Sequence, residues 1–209
     1  LREALQRRIT SHHRFMLGQL LGQIDDLDRM LDAFDAHIEE VMSPLERESV
    51  KRLDEVPGFD RRTGQNVLAE IGCDMSRFAT PQHLASWAGL CPGNNQSAGK
   101  RKTGRTRQAN RWLKGALTQA AWGASRTRGS YYNAQHRRLT TRRGVKRATI
   151  AVAHSLLVTT HCLLSRPQPY ADLGVDYFQS RETPEHKAQQ LIRKLERLGF
   201  VVEAKPKAA

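Results

Sequence analysis

Leu17, Leu20, Ile24, Leu27, Leu31, Phe34, Ile38, Val41 and Leu45 follow one another at alternating spacings of three and four, without a break. That spacing draws one apolar seam along a helix, and such a seam needs a second helix to cover it. At about 1.5 Å per residue the seam is roughly 40 Å long. The reading is a coiled coil that pairs copies of the chain; the alternative is one helix of an intramolecular hairpin. Gly18 and Gly22 weaken the helix by roughly 1 kcal/mol each against alanine, and could let another backbone approach closely. The opposite face carries Asp25, Asp26, Asp28, Asp32, Asp35, Glu39 and Glu40. An acidic face of this kind does not run along a nucleic acid.

Beyond Pro44 the pattern changes. A helix through Val50 and Leu53 runs into Val56-Pro57-Gly58-Phe59, and Thr63 to Ile71 reads as a second helix stopped by Gly72. Thr80-Pro81 marks a helix start and Gly89 its end. Residues 90–106 have almost nothing to bury and read as a loop, expected to order only on a nucleic acid. Helices are expected at about 107–124, 130–140 and 145–165. Arg166 to Pro169 makes a connector, and Thr183-Pro184 opens a tail helix that Gly199 stops. No period-two alternation stands out, so the fold class is mostly α. The expected organisation is a dimerisation helix over 1–50, a compact helical domain with a helix-hairpin-helix over 51–168, and a C-terminal helical tail over 169–209.

Charge narrows the partner. The chain carries a net +13 with a pI near 10.3, on an otherwise ordinary 26% of charged residues. Between Asp74 and Asp172 there is no acidic residue, while seventeen lysines and arginines fall in that stretch. A surface built for solubility mixes both signs; one that follows phosphates does not. A polyanion is therefore the expected partner, nucleic acid first and an acidic membrane second. The longest apolar stretch, Ala148 to Leu164, contains His154 and His161 and reads as a buried core helix rather than a membrane span. Cys73, Cys91 and Cys162 form no CxxC pair, which argues against a disulfide framework or a cysteine zinc site. A reducing cytoplasm, with the protein on the bacterial nucleoid, fits that usage. The chain opens at Leu1 already in helical pattern, so a preceding segment is expected.

Two places could carry chemistry. The Val56-Pro57-Gly58-Phe59 turn resembles a helix-hairpin-helix, in which backbone N–H groups and a helix N-terminus meet a phosphate. Gly58, Arg61, Arg62 and Thr63 stand where those contacts would fall; a plain turn between two helices is the alternative. The second place is Gly93-Asn94-Asn95-Gln96-Ser97-Ala98-Gly99-Lys100-Arg101. Five residues separate its glycines and Arg101 replaces the hydroxyl a magnesium would need, so it is not a nucleotide-binding P-loop. What remains is Ser97, followed by Lys100, Arg101, Lys102, Arg105, Arg107, Arg111 and Lys114. A serine attacks phosphorus only if its proton is taken and the phosphate charge is neutralised. The cations serve the second need, and no local histidine or carboxylate serves the first. From composition alone a phosphate contact or a cap is the commoner role for such a serine. Trp87, Trp112 and Trp122 lie in helical patterns and are expected in the core; His154 and His161 are expected to pack or hydrogen-bond. Without clustered carboxylates, a self-contained two-metal nuclease is not expected.

The order of several short motifs resembles a known family. Val56-Pro57-Gly58, Ala69-Glu70-Ile71-Gly72, Arg77-Phe78 and Leu84-Ala85-Ser86-Trp87-Ala88-Gly89-Leu90-Cys91-Pro92 are followed by Gln96-Ser97 and Asn110-Arg111-Trp112-Leu113. Ala151-Val152-Ala153-His154-Ser155-Leu156-Leu157 and Tyr170-Ala171-Asp172-Leu173-Gly174 come later in the same order. These segments are similar to the C-terminal part of the one-ten insertion-sequence family of transposases, relatives of the Piv and MooV DNA invertases, which includes recombinases guided by a bridge RNA. The resemblance covers roughly residues 45–200. It implies a coiled coil and a serine domain that follow a RuvC-like domain absent from this sequence, whose acids hold Mg²⁺. It further implies that Ser97 is the nucleophile of a covalent phosphoserine–DNA intermediate. Lys100, Arg101, Lys102, Arg105 and Arg107 would then bind phosphates around it, with Asn110, Arg111 and Lys114 at the start of the next helix. Implied partners are DNA, a guide RNA in some members, and further copies of the chain as dimer or tetramer; no cofactor is implied within these residues, and no membrane. The rival reading is a non-catalytic nucleic-acid-binding and dimerisation module. The family commonly has glycine before Asn110, where this chain has Ala109; alanine is harmless there unless the position needs a positive φ.

Overall fold

The computed structural model describes residues 9–202, apart from residues 94, 105, 107, 167 and 181–183. It is mostly helical, and it divides into two compact units, Leu1–Arg47 and Glu48–Ala209.

The first unit is dominated by helix α1, Ser11–Val41. Thr10 caps its start, accepting from the His13 amide, while the His13 ring accepts from the Thr10 amide. None of its residues is buried: Leu17, Leu20, Ile24, Leu27, Leu31, Phe34, Ile38 and Val41 all face outward. The heptad pattern outruns the helix. Proline at 44 removes an amide donor, and the backbone of Met42 is already extended, so α1 stops at Val41 and α2 (Pro44–Asp54) begins anew. Ser43 and Glu46 form the reciprocal cap of the new helix. The Arg47 guanidinium closes the corner on the carbonyl of Glu39 at 2.6 Å. Leu45, the last member of the seam, therefore belongs to a different helix.

In the second unit, α3 (Arg61–Ile71), a short 3₁₀ turn (Met75–Arg77) and α4 (Pro81–Trp87) lead to two short strands, β1 (Asn95–Ser97) and β2 (Lys100–Thr103). Helices α5 (Arg111–Arg126), α6 (Tyr131–Arg143) and α7 (Val145–Ser165) follow, then α8 (Tyr177–Ser180) and α9 (Pro184–Arg197). The centre is α7, which packs against α4, α5 and α6, while α5 also meets α3. Leu113, Leu117, Ala121 and Ala124 of α5 face Val152, Ala153, Leu156 and Leu157 of α7 within one core, all fully buried. Burying each leucine is worth about 1.5–3 kcal/mol. By length and composition α7 could cross a membrane, but half of its apolar window is buried in this core.

Within residues 90–106, expected as a loop, Asn95–Ser97 and Lys100–Thr103 form an antiparallel hairpin in which Ser97 pairs with Lys100 and Gln96 with Arg101. Strand pairing here needs no apolar face, which is why periodicity did not reveal it. The tail also docks: Asp172 accepts from the Tyr131 amide at 2.9 Å at the start of α6, and Glu55 accepts from the Tyr170 amide at 3.2 Å. Next to this clamp the Tyr132 hydroxyl is buried and bonded to Thr159 at 2.8 Å, and burial pushes its pKa up to about 12. It therefore stays protonated.

Candidate nucleic-acid interface

Ser97 ends β1 at the tip of the hairpin and is exposed. The two residues of the turn, Ala98 and Gly99, have φ of 48° and 75°. Two consecutive positive φ values match the right-handed twist of the flanking strands, and glycine or asparagine is the usual occupant. Alanine at the first position is strained by about 1–3 kcal/mol. Among the described residues Ala98 is the one non-glycine with positive φ, and it is Ser97's neighbour. Ser97 and Lys100 are cross-strand partners, so their side chains leave the same face of the hairpin. Of the other expected phosphate contacts, the side chains of Arg101 and Lys102, and the whole of Arg105 and Arg107, lie outside the described residues.

The base of the hairpin is fixed to the helical core. Pro92 and Thr106 pair across it, and the Lys114 ammonium donates to the Thr106 hydroxyl at 2.6 Å. Asn110 caps α5, its side-chain oxygen accepting from the amides of Trp112 and Leu113 at 3.0 Å each. Its side-chain nitrogen donates to the carboxylate of Glu70 on α3. Asn110 and Lys114, expected to contact phosphate, thus hold the scaffold under Ser97. This explains why α5 starts at Arg111 and not near 107. Ala109 has no positive φ, so the departure from glycine costs the backbone nothing.

The turn between α2 and α3 packs closely on α5. Gly58 has φ 87°, and a Cβ there would collide with the Ala120 carbonyl and the Ala124 amide and lie 2.8 Å from the Ala124 Cβ. Gly123 offers the matching gap, its own added Cβ falling 3.2 Å from the Gly58 Cα. The glycine is accounted for by close packing on α5. At the N-terminus of α3 the Asp60 carboxylate already accepts from the Thr63 amide at 2.7 Å. Hydrogen bonds from Thr63 hold the Asp60 carboxyl below its ordinary range. The helix end that a phosphate would occupy carries its own carboxylate, while Arg61 and Arg62 are exposed beside it.

Several cations of the acid-free stretch are exposed. Arg142 and Arg143 end α6, and Lys146 and Arg147 begin α7, all four exposed around Gly144. No side chain caps α7, and its first turn is basic, an arrangement that an anion relieves. The tryptophans correct an expectation. Trp112, Trp87 and Trp122 are 68%, 43% and 39% exposed, not in the core. Helical spacing placed them on a helix but did not say which way the helix faced. His161 packs as expected, its Nε2 2.9 Å from the Phe78 carbonyl and its Nδ1 3.3 Å from the Ser165 hydroxyl. His154 is half-buried, and burial lowers its pKa. Among the described residues no group of three His, Cys, Asp or Glu could hold a metal.

The model of the family described as Transposase IS116/IS110/IS902 family matches residues 50–137. The match supports a transposase or recombinase role on DNA. No curated protein matches the chain. The matched stretch contains the hairpin with Ser97, the Asn110–Glu70 contact, the Gly58 turn and all three tryptophans.

Proposed function

We propose that the chain is the serine-bearing part of an insertion-sequence transposase and that Ser97 is its nucleophile. The observation that carries this reading is the placing of an exposed serine at the tip of a strained turn, within a stretch from residue 75 to 171 that holds seventeen lysines and arginines and no acid. Strain kept next to a candidate reactive group is a recurrent mark of a functional site. The step is a transesterification. Ser97 Oγ forms a bond to phosphorus, the bond from phosphorus to one deoxyribose oxygen breaks, and the serine proton ends on the released hydroxyl through a base. No phosphodiester energy is lost, so the covalent intermediate can be reversed onto another strand. Lys100, and with it Arg101, Lys102, Arg105 and Arg107, would neutralise the phosphate. The base, and any Mg²⁺, would come from a RuvC-like domain outside these residues. The seam of α1 would bring two copies to one synapse. In members of the family that use a guide RNA, base pairing would choose the site while this domain grips backbones.

The test is a denaturant-resistant adduct. The chain joined to its RuvC-like domain is incubated with Mg²⁺ and DNA carrying the element ends, and any protein–DNA adduct is mapped by peptide mass. An adduct on Ser97 that vanishes in Ser97→Ala, with binding retained, is the expected result. Strand transfer without an adduct would remove Ser97 as nucleophile and leave the rival reading of a DNA-gripping module.

A further inference from the structure

The outward face of α5 carries two exposed indoles, Trp112 and Trp122. Leu113, Leu117, Ala120, Ala121 and Ala124 point into the core. At 100° per residue the opposite side of the helix is then formed by Arg111, Trp112, Gly115, Gln119, Trp122 and Arg126, and all six are exposed. The two indoles are ten residues apart, about 15 Å along the axis. Between them Gly115 opens the surface, with nothing within 4 Å of where its Cβ would be. Each indole has an arginine over its ring, Arg111 at 4.7 Å from the Trp112 centroid and Arg126 at 5.9 Å from that of Trp122.

We propose that this face binds a single-stranded segment of DNA, with Trp112 as the platform on which an unpaired base stacks. The inference rests on the DNA reading above and assigns a residue to it. An exposed indole leaves much of a large apolar surface in water, which is unfavourable unless a ligand covers it. Trp112 is also held in place, because the Asn110 cap and its bond to Glu70 fix the first turn of α5. Arg111 takes one side of the ring, and the exposure leaves room for a base on the rest. A protein partner would call for an aliphatic seam of the kind α1 presents; here there is no aliphatic side chain and no acid. Aromatic rings interleaved with arginines suit bases and phosphates together. Strand exchange exposes unpaired bases beside the cut, and Trp112 stands two residues before Lys114, the anchor of the Ser97 hairpin, about 3 Å along the axis of α5.

The test uses the 209-residue chain, with tryptophan fluorescence and competition binding. The probes are a short single-stranded oligodeoxynucleotide, the matching duplex, single-stranded RNA of the same sequence, and inorganic polyphosphate. Trp112→Ala is expected to weaken single-stranded DNA binding by about five- to a hundredfold, the range for loss of one stacked base. Trp112→Phe is expected to recover most of it, with duplex binding unchanged in both. The proposal is overturned if Trp112→Ala leaves single-strand binding intact, if single-strand and duplex affinity fall together, or if polyphosphate quenches the indole as strongly as DNA does. RNA bound more tightly than DNA, and lost with Trp112, would overturn the assignment to DNA. Failure of the wild-type chain to bind any DNA would instead overturn the DNA reading itself. Equal far-ultraviolet spectra and melting of the variants keep folding out of the comparison.

Discussion

The side-chain nitrogen of Asn110 donates to the carboxylate of Glu70, forty residues earlier in the chain, while its oxygen caps α5. One side chain therefore ties α3 to the start of α5 and sets the base on which the Ser97 hairpin stands. Asn110→Ala removes both contacts and should cost about 2–3 kcal/mol. Asn110→Asp keeps the cap but sets two carboxylates against each other, so its loss should shrink as salt is added. Chemical denaturation at low and high salt checks both; equal salt response of the two variants would mean that Glu70 is not the partner.

Gly58 and Gly115 should respond in opposite directions to the same change. Gly58→Ala meets the backbone of α5 from a positive φ, and is expected to cost about 2–6 kcal/mol. Gly115→Ala adds a methyl to open space on a helix and should stabilise by about 0.5–1 kcal/mol. Thermal melts of the two variants decide it.

Charging the seam of α1 should separate copies of the chain without touching the second unit. Leu27→Asp places a carboxylate at the middle of the apolar row. Sedimentation is expected to show an assembly for the wild type and a monomer for the variant, with the melt of residues 48–209 unchanged. A wild-type monomer at high concentration would refute the seam as a pairing surface.

Asp60 should contribute a pH-dependent part of the stability. Its folded-state pKa lies below its ordinary 3.8 because Thr63 hydrogen-bonds the ionised form. The contribution is therefore complete above pH 3.8 and disappears as the pH falls through the lowered value. Asp60→Ala should cost about 1 kcal/mol at neutral pH, and the difference from wild type should close in strong acid. Denaturation curves across that range give the answer; a gap that stays constant with pH would assign the cap to something other than the carboxylate.

The sequence revealed what depends on local pattern. The α1 seam, the Thr80-Pro81 start, the glycine stops and the apolar run that became α7 are all written in residues a few positions apart. Ser97 stood out by its cationic neighbours, and the likeness to a transposase family by the order of short motifs. What was not legible depends on contacts across the chain. Glu70 looked like one acid on a helix, and nothing near it names Asn110. Thr106 looked like a loop residue until Lys114 met it. The hairpin escaped notice because Asn, Gln, Ser, Lys and Arg pair through their backbones, with no buried face to impose alternation. The tryptophans were misassigned because a period of 3.6 identifies a helix without telling which side is inward until the helix is packed.

Asp172 closes the acid-free stretch and clamps the start of α6, accepting from the amides of both Tyr131 and Gly174. That clamp decides where the domain can be divided. A gene fusion or a shuffling event that joined new sequence directly after α7 would leave Ser130 to cap α6 alone, without the acceptor for the Tyr131 amide, and bare the flank of Tyr132. Exchange of tails is tolerable only downstream of Gly174, so residues 170–174 should travel by descent with α6 and α7 and not with whatever follows them.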